Sequence, residues 1–138
     1  MLEFNLFLID YWYFSVPLFF FIFLFAYSEM NKGGKKIEPN ELTRLVNKEN
    51  AILIDLRKKE DYESGHIMTA LNYPHQEFDN QMHELNKFKD RPIILVCDMG
   101  RNSANIGEKL KKAEFQETFR LNGGMMTWTQ DKLPVVQK

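Results

Sequence analysis

The chain has 138 residues, room for one domain of ordinary size and not comfortably for two. Its 18 Lys and Arg against 19 Asp and Glu give no reason to propose nucleic acid as a partner. A single cysteine leaves no internal disulfide to form and agrees with a reducing compartment.

Composition changes along the chain. Eight of the twelve phenylalanines fall within the first 25 residues, and Glu3 and Asp10 are the only charges before residue 29. The run "YWYFSVPLFFFIFLFAY", Tyr11 to Tyr27, is uncharged and as a helix would rise roughly 25 Å, close to the hydrocarbon core of about 30 Å. Tyr11, Trp12 and Tyr13 at one end and Tyr27 at the other suit the two headgroup belts. Pro17 lies near enough to the N-terminal end to be tolerated. A cleaved signal peptide would want a basic start and a small-residue cleavage site, whereas this start carries acids and "AYSEM" is a poor match. Residues 1–30 therefore read as a single-pass membrane anchor, transmembrane over about 11–27. Lys32, Lys35 and Lys36 flank its C-terminal end, so the positive-inside rule places the following domain in the cytoplasm, at the inner membrane if the cell is bacterial.

Residues 31–36, opening with "NKGG", read as a flexible linker of glycine and polar residues. The domain then spans 37–138. Pro39 and Asn40 open a helix whose apolar face is Leu42, Leu45 and Val46. "AILIDLR", Ala51 to Arg57, has the length and branching of a strand. "FDNQMHELNKF" aligns Phe78, Met82 and Leu85 as one face of a helix. "RPIILVCD" is a second strand with Pro92 at its start, where no ladder bond is lost. "SANIGEKLKKAEF" is a helix with Ile106, Leu110 and Ala113 on one side, and "QETFRLN" a further strand. The first two strands are apolar on successive residues, the pattern of strands covered on both faces. Strands alternating with helices indicate βαβ units, hence a mostly parallel sheet with helices on both faces, an α/β fold.

Cys97 follows "IILV" and precedes a turn and a helix, the place where open α/β sheets gather their functional residues. Backbone N–H groups of a short turn containing Gly100, together with the helix N-terminus, would form an anion-binding nest. A sulfur at its centre would be held as thiolate, or as an anionic persulfide. The plainer alternative is a small buried hydrophobe ending a strand, since free cysteines are among the most buried residues. Placement alone leaves both readings open.

Three stretches, taken together, carry a resemblance. "LIDLRKKEDYESGHIMTALNYP" places Asp55 and Arg57 at a strand end, then Asp61 and Tyr62, then Gly65, His66 and Ile67, then Ala70, Asn72 and Pro74. "CDMGRNS" places Cys97, Asp98, Met99, Gly100, Arg101, Asn102 and Ser103 in one loop. "LNGGMMTWTQDKLPV" places Gly123 and Gly124 ahead of Trp128 and a Leu-Pro pair. From about Ile37 to Val136 the chain resembles a single rhodanese domain, of the sulfurtransferase family. The resemblance implies a five-stranded parallel sheet flanked by helices, Cys97 as the sulfur carrier and residues 98–103 as the loop that binds the persulfide and the substrate. Asp55, Arg57, His66, Gly123, Gly124 and Trp128 are then structural. Three positions depart from the family pattern: Asp61 stands for the usual Glu, Thr69 for a common Gly, and Asn102 for the usual Arg, with Arg101 one residue earlier.

The activity implied is two-step sulfur transfer: the thiolate takes a sulfane sulfur from a donor such as thiosulfate and yields it to a thiol or cyanide acceptor. Neither metal nor organic cofactor is required by it. His75 and His83 lack a cysteine or carboxylate pattern that suits zinc and read as surface histidines. A phosphatase or arsenate reductase would need Arg at position 103, which is Ser. The remaining alternative is a binding module with a weak or silent site, tethered beside a partner at the membrane.

Overall fold

Strands that are apolar on every residue are stable only where both faces are covered, and the two such runs here sit side by side inside one sheet. The computed structural model describes residues 1–30, 32–98 and 101–137, the side chain of Arg101 excepted. In chain order the elements are α1 (Leu2–Asp10), α2 (Trp12–Met30), β1 (Lys35–Ile37), α3 (Pro39–Lys48), β2 (Ile52–Asp55), α4 (Lys59–Ser64), β3 (Leu71–Asn72) and α5 (Phe78–Gln81). A 3-10 segment (Met82–Phe88) continues α5, followed by β4 (Ile93–Val96), α6 (Arg101–Lys112), β5 (Thr118–Leu121) and α7 (Gly124–Gln130). They fall into two units, Met1–Asn31 and Lys32–Lys138.

The first unit is helical. α2 has 19 residues and none of them is buried, so by length and composition it can cross a membrane. It runs three residues past Tyr27, through Ser28, Glu29 and Met30, with Pro17 inside it.

The second unit is built on a five-stranded sheet of order β1-β5-β4-β2-β3, and every neighbouring pair is parallel. Register runs Ile52↔Ile93 to Asp55↔Val96 between β2 and β4, and Ile93↔Thr118 to Leu95↔Arg120 between β4 and β5. All four residues of β4 are buried. Alternation divides its side chains between two layers. Ile94 and Val96 join Leu42, Leu45, Met125 and Trp128 under α3 and α7. Ile93 and Leu95 join Phe78, Leu85, Ile106 and Leu110 under α5 and α6.

Element ends differ from the sequence reading in instructive ways. β1 and β3, of three and two residues, are too short to stand out by pattern, and their pairing is supplied by neighbours already in the sheet. β1 begins inside the stretch that reads as linker. Just ahead of it Gly33 and Gly34 are buried, and the Gly33 N–H donates to Glu108 Oε1 at 2.7 Å. At Gly33 a Cβ would collide with the backbone of Ala104, and at Gly107 one would collide with Gly33, so this strap lies against α6 only because both are glycines. The segment 78–88 winds as α-helix for one turn only and then tightens, consistent with the weak helix formers Asp79, Asn80 and Asn86. Phe78 and Leu85 still reach the same layer, both fully buried.

Candidate active site at the carboxyl end of β4

From β2 the chain crosses to β3 on one side, and from β4 to β5 on the other. The carboxyl ends of β2 and β4 therefore flank a topological switch point. Cys97 stands there, first after β4, 3% exposed and part of the layer under α6 with Leu56, Leu95 and Ile106. Asp98 beside it is exposed. α6 starts at Arg101, directing the positive end of its dipole at the loop before it. On its first turn Asn102 is exposed and Ser103 is 1% exposed. Met99 and Gly100, and the side chain of Arg101, lie outside the described residues.

The base of the loop is fixed by α7. Met125 N–H donates to the Cys97 carbonyl at 2.8 Å and Met126 N–H to that of Asp98 at 3.0 Å. Gly124 has φ +60, and a Cβ on it would strike the Cys97 carbonyl oxygen and Asp98, so the Gly-Gly turn lets α7 close against the cysteine segment. Trp128 packs in the opposite layer and donates Nε1–H to the Pro134 carbonyl at 3.0 Å. Of the methionine pair, Met125 is buried and Met126 exposed.

Asp55 and Arg57 form a buried pair at the end of β2. Arg57 Nε and Nη2 donate to the Asp55 carboxylate at 2.8 to 3.1 Å, and Nη2 also to the Gly65 carbonyl at 2.7 Å. Asn72 Nδ2 donates to the carbonyls of Asp55 and Arg57, which joins β3 to the same knot. Removing either charge would strand the other in the interior, at about 3–5 kcal/mol. His66 accepts the same kind of structural work: its ring stacks on Tyr62 at 3.8 Å and its Nδ1 lies 2.8 Å from the Tyr62 carbonyl. Its backbone pairs with Val136, pinning the C-terminal segment. Burial and the Asp55 charge raise the Tyr62 phenol above its ordinary pKa, and its OH donates to the Ala70 carbonyl at 2.6 Å.

One residue falls differently from its sequence reading, and one had no reading at all. His75 is half-buried, not a plain surface histidine: its N–H donates to the Leu56 carbonyl at 3.0 Å, and its ring Nδ1 lies 3.3 Å from the same oxygen. His83 is exposed. Arg120, in β5, drew no attention in sequence although it is a charge between Phe119 and Leu121 in a strand. It is 4% exposed and shares the α6 side of the sheet with Cys97. Burial lowers its pKa, while the charges of Cys97 and Glu108 oppose that shift.

A five-stranded parallel sheet with a cysteine at its switch point defines a class of open α/β domains that place one thiol between a strand and a helix. The chain belongs to the rhodanese-like family, a family of sulfurtransferases, whose domain model matches residues 38–131. It is 33% identical over 123 residues to YibN of Escherichia coli (strain K12), covering 88% of this chain and 86% of that one. It is 29% identical over 94 residues to the thiosulfate sulfurtransferase GlpE of Coxiella burnetii, covering 68% and 86%. The crystal structure of a rhodanese-related protein from Thermoplasma volcanium superposes with a TM-score of 0.67 at 22% identity, over 75% of this chain and 99% of that one.

Proposed function

We propose that Cys97 carries a sulfane sulfur as a persulfide, between a small anionic donor such as thiosulfate and a thiol or cyanide acceptor. The observation that carries this reading is the position of the chain's one cysteine at the switch point, directly ahead of α6 and held from below by α7. In the first step the Cys97 thiolate attacks the sulfane sulfur of the donor. A new S–S bond forms at Sγ, the donor's S–S bond breaks, and sulfite leaves with the bonding pair. In the second step the acceptor attacks the outer sulfur, and the pair of the broken bond returns to Sγ as thiolate. Sulfur moves with no external oxidant or reductant. Residues 98–103 are assigned to bind the persulfide, its negative charge met by backbone N–H groups and the α6 dipole. The similarity to a thiosulfate sulfurtransferase supports the donor class. α2 holds the domain at a membrane, on the cytoplasmic side. A weak or silent binding module is the second reading, favoured by the neutral, exposed Asn102 where the family pattern has Arg.

The test uses the full-length chain in detergent, incubated with thiosulfate, desalted without reductant and weighed intact. With a single cysteine the assignment is direct. Gain of one sulfur, reversed by cyanide and absent from Cys97→Ser, is expected. An unchanged mass with both thiosulfate and polysulfide, in folded protein, would overturn the carrier reading in favour of the binding module.

A further inference from the structure

Arg120 is a buried charge on the same side of the sheet as Cys97, and the sulfur-transfer reading leaves it unused. In β5 the side chains of Phe119 and Leu121 enter the layer under α3 and α7, so Arg120 between them enters the layer under α6. Leu95 is its direct partner in β4, and Cys97 lies two residues further along the chain, just past the end of β4 and in the same layer. Neighbouring strands are about 4.8 Å apart and two residues advance about 6.6 Å, so a side chain as long as arginine spans the diagonal. A guanidinium this deeply buried is costly unless negative or dipolar partners surround it. One is the Gly34 carbonyl, which accepts from Arg120 Nε at 3.2 Å. Glu108 of α6 and Cys97 are acidic groups whose charges act on it. Glu108 also accepts from Gly33 N–H, so strap, helix and arginine form one assembly. Asn102, exposed on the first turn of α6, brings no charge to the site.

We propose that Arg120 is a positioning residue of the site: a buried cation, held by the Gly33–Gly34 strap, that stabilises Cys97 as thiolate and its persulfide as anion from behind the loop. The persulfide half rests on the sulfur-carrier reading; the thiolate half stands without it. Glu108 sets how much of that positive charge is felt at sulfur.

The test is the pH profile of Cys97 alkylation by iodoacetamide, followed by intact mass, on the full-length chain in detergent. Arg120→Met is expected to move the midpoint up by about one pH unit, slowing alkylation near neutrality roughly tenfold, because only the thiolate reacts. Arg120→Lys restores most of the shift, which a purely structural role would not produce. Glu108→Gln keeps an acceptor for Gly33 N–H and removes the competing charge, so its midpoint moves down. Superimposable profiles for wild type and a folded Arg120→Met overturn the proposal. If Arg120→Met does not fold, an unmoved midpoint in Glu108→Gln overturns it instead. Thiosulfate loading measured on the same samples separates the two ideas: midpoints that shift as expected in a protein that never accepts sulfur remove the transfer reading and leave the role of Arg120 standing.

Discussion

Thr69 occupies the third position of a turn that Ala70 N–H closes on the Ile67 carbonyl at 3.0 Å, with φ +74. That is left-handed backbone, which glycine enters freely and a β-branched residue enters only under strain of about 1–3 kcal/mol. The departure from the family's glycine is therefore a departure at a place where the backbone calls for one. Thr69→Gly is expected to raise stability by about 1 kcal/mol, part of the relief being offset by the greater freedom of glycine in the unfolded chain. Urea unfolding of the two proteins checks this, and a lower midpoint for the glycine variant would contradict the strain. Asp55 and Arg57 show the other side of residue-level reading. Two charges ending an apolar strand were legible as a pair, because an acid and a base so close in sequence at a buried strand end have little choice but to meet. Arg120 was not legible, since nothing local distinguishes a strand charge that points to solvent from one buried under a helix.

The elements around the loop act as wedges rather than as ligands. α7 is locked to the Cys97 and Asp98 carbonyls by the N–H groups of Met125 and Met126, an approach that only Gly124 permits. Gly124→Ala meets both a positive φ and a collision with the Cys97 carbonyl, so α7 must withdraw from the loop. A loss of about 2 kcal/mol or more is expected, read from thermal or urea unfolding. Sulfur loading from thiosulfate should fall with it, because the loop base moves. Retained stability together with wild-type loading would show that α7 does not hold the site. α3 follows the sequence reading closely, with Pro39 opening it and Leu42 and Leu45 buried. α6 starts two residues earlier than its pattern indicates, at Arg101, because the helix face that announces itself by apolar residues begins only at Ile106. In 78–88 the apolar spacing is right and the winding is not, since burial of Phe78 and Leu85 constrains where those side chains arrive and not how tightly the backbone turns between them.

At the scale of the molecule, an apolar helix precedes a domain whose Gly33–Gly34 strap packs against α6. Cytoplasmic placement is the expectation from Lys32, Lys35 and Lys36, and β1 leaves Lys35 and Lys36 exposed as that role requires. Protease added to sealed vesicles of known sidedness is expected to digest the domain from the cytoplasmic face alone. Digestion from the opposite face would reverse the orientation, and release of the domain by carbonate washing would remove the anchor.

The sequence by itself determined what local pattern and chemistry control. These are an uncharged aromatic stretch of membrane length, a parallel α/β domain, a cysteine where strand gives way to helix, and the family signatures around it. Tertiary structure alone decided which strands became neighbours and which distant residues meet inside the domain. Gly34 and Arg120 meet across 86 residues of chain, and Gly33 and Glu108 across 75. Periodicity reports which face of an element seeks the interior, but not which distant residue it will find there. That choice is made only when the layers close and every buried polar group must take the partner within reach.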